Sequence, residues 1–467
     1  MSDTDRGGEG SAGPPSRTDA SRTGPPRPSG PVEPDLFPLT AEVDAEGRLR
    51  VGGCDLVGLA EQFGTPLFVY DEAHLRTRCR EAVEAWGDGV AYATKAFLCV
   101  AMARLAHEEG MCLDVSTGGE LHVALSAGVP PARLVLHGNN KSDEELAAAL
   151  AVGVGRIVVD SFDELDRLER LVPDAPVAED PHGGPPVLAR PRVLARVTPG
   201  VEVHTHEFVR TGQDDSKFGF GLVSGDAARA VDRLTEMDRK GTVAFVGIHA
   251  HLGSQVFALA PFVQAIELLA DFFAPLGLPE LVVGGGLGVA YVNGEEAPPM
   301  AQWAGAVRQA CRRAGIPDTV RVTAEPGRSI VAAAGITLYR VGTVKDVPGH
   351  RTYVSVDGGM SDNPRPVLYG SGYEAFLPRE AGAPRPVAVR VVGKHCETGD
   401  VVVSEGFVPA DLAVGDILAT PVTGAYGHSM ASNYNKVPRP AVIFVADGEA
   451  RTVVRRETFD DLVRLDV

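Results

Sequence analysis

The 467-residue chain has no apolar stretch approaching the roughly 20 residues that span a bilayer. It has no surplus of basic charge: the formal net charge of −18 disfavours nucleic acid and anionic membrane as partners and mainly promotes solubility. The six cysteines, Cys54, Cys79, Cys99, Cys112, Cys311 and Cys396, include no Cys-x-x-Cys pair. That spacing speaks against a zinc knuckle or a disulfide framework and fits a reducing cytoplasm. The first 34 residues lack the apolar core of a secretory signal; rich in Gly, Pro, Ser, Thr and charge, they read as a disordered tail. What remains is ordinary for a globular protein, 44% hydrophobic and 23% charged. The length exceeds one compact core, so two domains are expected.

Between about residue 60 and residue 330, short apolar runs alternate with Ala/Leu/Glu/Arg-rich helical stretches. Candidate strands end at Lys95, Ser116, Gly138, Asp160, Thr198, His251, Gly286 and Glu325. The helical stretches include Val100–Glu109, Gly119–Ala127, Asp143–Ala151, Asp163–Leu171, Ala227–Asp238, Pro261–Ala274 and Ala301–Arg313. This is an α/β pattern, and eight strand–helix units predict a (β/α)8 TIM-like barrel. The Pro/Gly-rich stretch from Val172 to Pro186 reads as a surface loop, because the pattern resumes after it. Beyond Gly327 the rhythm changes. Val354–Asp357, Val387–Val392, Val401–Ser404, Ile417–Thr420 and Ala441–Val445 are short β-type runs joined by Gly/Pro turns. They predict a C-terminal all-β domain, a β-sandwich or barrel, that also takes in an N-terminal β segment. The expected division is tail 1–34, β segment 35–59, barrel 60–330 and all-β domain 331–467.

Barrel chemistry sits at the C-terminal ends of strands, and those ends carry an unusual set of groups. Lys95 closes the apolar run from Gly89, where a lysine either sends its amine to solvent or serves as a nucleophile. Gly284–Gly286 follow Leu281–Val283 and allow close backbone approach to an anion, with Arg328 as complementary cation. Glu325, pinned by the following proline, can hold a protonated heterocycle nitrogen; alone it would also suit an ordinary salt bridge. His249 and His251 are two apart and face the same way on a strand. His-x-His could bind zinc, but the later strand ends supply no further ligands, and His204 and His206 lie beyond the strand ending near Thr198, so no metal is expected. A phosphate corner, an acid for a ring nitrogen, a flat imidazole and an amine together suit pyridoxal phosphate, with Lys95 as its Schiff-base anchor.

From about residue 37 onward the chain resembles the fold-type III, alanine-racemase-like pyridoxal-phosphate decarboxylases, and among them the diaminopimelate decarboxylase family. The motifs are Tyr92-Ala-Thr-Lys95-Ala, Leu113–Glu120, His204-Thr-His206, Ser216-Lys-Phe-Gly219, His251–Gln255, Gly284–Gly288 and Glu325-Pro-Gly-Arg328. Further along come Asp362–Pro366, Tyr369-Gly370, Cys396–Asp400 and Gly424–Gly427. The resemblance implies removal of the D-centre carboxylate of meso-2,6-diaminopimelate as CO2, leaving L-lysine. It implies that Lys95 carries the cofactor, that His251 stacks on its ring, and that Glu325 keeps the ring nitrogen protonated. Ser254, Gly284, Gly285, Gly286 and Arg328 would surround the phosphate, with Gly327 and Tyr426 also contacting the cofactor. Arg328, Arg365, Tyr369 and Tyr426 would meet the substrate, its distal carboxylate falling to the arginines and Tyr369. Glu397 would take the distal ammonium, and Cys396 would return the proton. It also implies a homodimer with shared active sites, the Cys396–Glu397 segment coming from the partner chain. The departures from the family pattern are small, Thr94 for alanine and Thr398 for serine. Rival readings are a decarboxylase of ornithine, arginine or carboxynorspermidine, or a silent cofactor-binding protein.

Overall fold

Eight short parallel strands carry the chain around a closed ring: Ala91–Ala93, Cys112–Val115, Leu134–Leu136, Arg156–Val159, Arg192–Thr198, Ala244–His249, Glu280–Val282 and Arg321–Thr323. Each pairs with its sequence neighbour. The ring closes where Ala91 N–H donates to Ala324 O at 3.0 Å and Ala93 N–H to Pro326 O at 3.1 Å. This structure, a computed structural model, describes residues 30–172, 190–200, 216–251 and 253–467. The expected tail up to residue 29, most of the Pro/Gly-rich stretch and the His204/His206 pair therefore lie outside the described residues. Among those residues no helix is long and apolar enough to cross a membrane.

The barrel interior is filled by alternate strand residues, as period-2 geometry requires. Ala91, Cys112, Val135, Val158, Leu194 and Val282 form one buried cluster with Val246 packed against it. The expected helices appear within one residue at either end, for example Val100–Glu108, Gly118–Ser126 and Met300–Arg313. Their starts are set by caps. Thr117 Oγ1 accepts from Glu120 N at 3.2 Å, while the Glu120 carboxylate accepts from Ser116 N at 2.6 Å. Ser161 and Glu164 repeat the arrangement, Glu164 accepting from Asp160 N at 3.0 Å. Satisfying these orphan amides pins the turns that follow the strands, and with them the rim residues. The ladder strands stop one to four residues before most of the expected ends, because the rim residues turn outward from it.

The second region is built on an eight-stranded sheet, in which Arg351–Val356, Val387–Val392 and Val401–Val408 are neighbouring strands. The long strand Gly335–Val347 organises this sheet. Its first half pairs with Leu67–Asp71 and with Ile417–Pro421, and its second half with Arg351–Val356. Leu67–Asp71 also runs parallel to Ala441–Ala446. The N-terminal strand in this sheet is thus Leu67–Asp71. Residues Glu42–Val43, Leu49–Val51 and Cys54–Asp55 form a small sheet of their own, tied on by Gly448 N to Gly52 O at 2.7 Å. The two regions meet tightly at Gly424, where a Cβ would lie 1.9 Å from Val331 O; only glycine allows that approach.

At the opposite end of the barrel from the rim, the buried Glu280 carboxylate receives guanidiniums from three other strands. Arg156 Nε and Arg192 Nη2 approach it at 2.5 Å, and Arg321 pairs with it as well. Removing the carboxylate leaves the largely buried Arg156 unpaired. Glu280→Ala is therefore expected to cost about 3 kcal/mol, read as a lower urea midpoint; an unchanged midpoint would contradict this account of barrel closure.

Candidate active site

A cavity of about 440 Å³ opens at the C-terminal ends of the barrel strands. It is lined by Lys95, His251, Ser254, Gly285, Gly286, Glu325, Gly327, Arg328, Tyr369 and Tyr426 among others. The structure thus brings together in one place almost all of the rim residues singled out from the sequence. Gly284 does not line it, but packs against His251, which does. Arg365 is buried beside the cavity and does not line it. Cys396 and Glu397 are exposed on the second region and lie outside it.

Lys95 ends the first strand in a short 3-10 turn, Thr94–Ala96. Its backbone is held from three sides: Thr94 Oγ1 donates to Asp114 O at 2.7 Å, Tyr92 Oη to Phe97 O at 2.6 Å, and Tyr426 N to Ala96 O at 2.8 Å. The turn is rigid and buried while the lysine side chain itself is exposed into the cavity. Tyr426 reaches it from a left-handed backbone, φ +58°, an uncommon conformation for a non-glycine residue.

At one end of the cavity is an anion corner. A Cβ at Gly284, Gly285 or Gly286 would meet His251 Nδ1, Glu325 O or Gly253 O, each at 2.5 Å. The bare backbone is what leaves room there. Arg328 Nη2 donates to Ser254 Oγ at 2.8 Å, and Arg328 Nε is buried with no partner among the described residues. Gly285 N–H donates to His251 Nδ1 at 3.0 Å, which fixes the imidazole plane and leaves Nε2 to carry the proton. Burial, reinforced by the positive charges of Lys95 and Arg196, keeps His251 well below the usual histidine range. The ring is neutral.

The other end holds a carboxylate. Glu325 Oε1 lies 2.8 Å from His137 Nε2, and Oε2 lies 2.8 Å from His249 Nε2. His249 and His251 therefore take different partners, although both face the cavity. Burial opposes ionisation of Glu325, but the charges and hydrogen bonds of the two histidines outweigh it and hold the carboxyl well below its ordinary range. Burial likewise opposes charge on His137, yet Asp114 and Glu325 raise it. Burial wins at His249, pushed down to about 4. The group reads as imidazolium, carboxylate and neutral imidazole, with the buried His249 Nδ1 left without a partner among the described residues. These three side chains could in principle ligate a metal. The contacts argue for hydrogen bonds instead: two ligand atoms each about 2 Å from one tetrahedral ion stand more than about 3 Å apart, whereas both contacts here are 2.8 Å.

Sequence reasoning gave no role to Asp114, His137, Arg196 and Phe218, all of which line the cavity, although Asp114 and Phe218 lie within quoted motifs. Arg196 lies 4.4 Å over the Phe218 ring and 3.7 Å from Asp160. Three of the four sit in or directly after apolar strands, so the rule that selected Lys95 would also have selected Asp114, His137 and Arg196. Lys141 holds the His137 turn from below, its buried ammonium donating to Gly138 O and Val158 O at 2.7 Å and pairing with Glu164 at 2.7 Å.

Residues 72–332 match the family model described as pyridoxal-dependent decarboxylase, pyridoxal binding domain. The chain is 46% identical over 456 residues to the diaminopimelate decarboxylase of Mycobacterium tuberculosis, covering 93% of this chain and 98% of that protein. It is 44% identical over 444 residues to that of Bacillus subtilis, covering 92% and 97%. The crystal structure of diaminopimelate decarboxylase from M. jannaschii superposes with a TM-score of 0.82 at 30% identity, over 92% of this chain and 98% of that one. The same organism's enzyme in complex with L-lysine gives 0.81 at 31% identity, with the same coverage.

The assignment of charge in the carboxylate cluster is open to measurement. Ring resonances of labelled histidine should show His249 neutral until about pH 4 and His137 protonated beyond the ordinary histidine range. In Glu325→Gln the His137 value should fall, since a partner that favours its charged form is gone. A His137 titration unmoved by that substitution would contradict the cluster as drawn.

Proposed function

The chain belongs to the diaminopimelate decarboxylase family of pyridoxal-dependent decarboxylases, and on that premise we propose how its rim cavity releases CO2 from meso-2,6-diaminopimelate. The product is L-lysine, in the last step of lysine biosynthesis, and the cofactor is pyridoxal phosphate. The observation that carries the site assignment is the cavity's polarity. An arginine–serine–glycine corner suited to a phosphate and an ionised carboxylate suited to a protonated ring nitrogen line one pocket with an amine and a fixed imidazole. These residues fit the cofactor at both of its charged ends.

When bound, pyridoxal phosphate supplies an electron-withdrawing ring that accepts the electron pair left behind as the carboxylate departs. Lys95 would be its covalent anchor. Ser254, Gly284–Gly286 and Arg328 would hold the phosphate, with Gly327 and Tyr426 also contacting the cofactor. Glu325, kept ionised between His137 and His249, would hold a proton on the ring nitrogen. That proton favours loss of CO2, because it deepens the electron demand at the reacting carbon. Such fixed charge is the largest protein contribution expected in a preorganised site. His251, its rotation limited by the Gly285 hydrogen bond, would stack on the ring. Arg328, Arg365 and Tyr369 take the distal carboxylate and Glu397 the distal ammonium. The Cys396 thiol returns a proton to the α-carbon.

A proton donor must touch the reacting carbon, and the exposed Cys396 does not line its own chain's cavity. This supports a homodimer in which each Cys396–Glu397 segment completes the other chain's site. Cytoplasmic residence fits the free cysteines, and neither nucleic acid nor membrane is a partner in this reading. The division into a barrel of residues 60–330 and an all-β domain of 331–467 is proposed with it.

The direct test is a product assay: meso-diaminopimelate should give L-lysine and CO2 only with pyridoxal phosphate present, and release from ornithine alone would overturn the substrate assignment. Arg365→Ala loses a buried partner worth about 3–5 kcal/mol, so kcat/KM should fall by at least about a hundredfold. Unchanged kcat/KM would remove Arg365 from the substrate site. Mixed Lys95→Ala and Cys396→Ala chains, each inactive alone, should regain about a quarter of wild-type activity, the statistical share of intact sites in random dimers. No recovery after chain exchange would contradict shared sites.

A further inference from the structure

Two guanidiniums are buried next to the cavity, and the hydrogen bonds they make go to neutral hydroxyls. Arg365 is 4% exposed and Arg328 9%. Arg328 donates to Tyr291 Oη and Ser254 Oγ, each at 2.8 Å, and Arg365 Nη1 donates to Tyr373 Oη at 2.5 Å. The Nε of each is buried without a partner among the described residues. Buried cations left this way are costly unless an anion joins them.

Tyr291 touches both. Its hydroxyl accepts from Arg328, while its ring face carries Arg365, the guanidinium carbon lying 4.1 Å from the ring centroid. Tyr373 packs edge-on against the same ring at 5.4 Å and 89°. The tyrosine is itself fixed from the glycine corner. Gln255, at φ +61°, bonds the Val289 backbone in both directions, Nε2 to O at 2.6 Å and N to Oε1 at 3.2 Å. Tyr291 N then donates to Glu295 Oε2 at 2.9 Å. A guanidinium over an aromatic face keeps its charge while losing rotational freedom.

We propose that Tyr291 is the specificity-determining positioning residue: it sets the spacing of Arg328 and Arg365 so that together they receive the second carboxylate of the substrate. The proposal rests on the reading that these arginines bind that carboxylate. Tyr291 does not line the cavity and acts through the arginines. Its removal should therefore weaken ligands that carry the distal carboxylate and leave those that lack it unaffected.

The probes are L-lysine and 1,5-diaminopentane, which differ by that carboxylate, used as competitive inhibitors of the holoenzyme. Tyr291→Leu, which loses the hydroxyl and the ring, should weaken L-lysine by about tenfold or more, with diaminopentane within about twofold. KM for meso-diaminopimelate should rise more than kcat falls, and the absorbance of bound cofactor should persist. Tyr291→Phe keeps the ring and its packing, so it serves if the leucine variant does not fold, and should weaken L-lysine by about threefold. An unchanged ratio between the two probes, or equal weakening of both, would overturn the proposal. Arg365→Ala separates the two levels. If it also leaves the ratio unchanged, the carboxylate reading of the arginines has failed; if it collapses the ratio while the Tyr291 variants do not, only the role of Tyr291 has.

Discussion

A carboxylate ionised in a buried place is the constraint from which the rest of this site follows. Glu325 is 6% exposed, and taking a charge out of water costs several kcal/mol unless partners replace the solvent. His137 and His249 supply those partners, one on each oxygen. Because they come from the third and sixth barrel strands and Glu325 follows the eighth, the pairing fixes three distant points of the rim against each other. The caps on the intervening helices and the buried Lys141 ammonium do the same for the turns between. The outcome is a negative charge that cannot move, facing a cavity whose opposite corner is positive.

The same logic, with sign reversed, governs the substrate side. Arg328 and Arg365 are cations held by tyrosines and a serine with no described carboxylate beside them, which suits the anionic ligand groups proposed for them. The exposed Cys396–Glu397 segment is stiff as well. Asp400 accepts from Met360 N at 2.7 Å and His395 N at 2.8 Å, and His395 Nε2 lies 2.8 Å from Ser361 Oγ. Asn435, in a left-handed conformation at φ +51°, accepts from Cys396 N at 3.3 Å. A held, exposed thiol and carboxylate pair suits the proposed role of this segment in a partner chain's site. Preorganisation of this kind is how an enzyme avoids ordering its groups during the reaction.

Much of this was legible in the sequence because barrel strands punctuate the chain so regularly. Every expected helix is present, and all eight strand ends fall at the rim. The second region was read less completely. Gly335–Val347 and Leu67–Asp71 went unrecognised as the centre of its sheet, since the first shows no break where its partners change and the second is a continuous apolar run, LFVYD, buried on both faces. Pairing between strands so far apart in the chain leaves no local mark. At the site, Lys95, Glu325 and the glycine corner were visible as chemistry out of place on apolar strands. His137 lay on an expected strand ending at Gly138 but was given no role, because its meaning lies in a contact with a residue 188 positions away. Tyr291 was hidden similarly: an aromatic after a glycine run reads as core until two arginines are seen against it.

The proposed chemistry depends on the rim cavity holding the cofactor through Lys95. Borohydride reduction of the loaded enzyme, followed by digestion and mass spectrometry, tests it most directly. A pyridoxyl-phosphate mass confined to the peptide containing Tyr92-Ala-Thr-Lys95 is the predicted result. The label on another lysine, such as Lys141 or Lys217, or no label on a fully active enzyme, would contradict it.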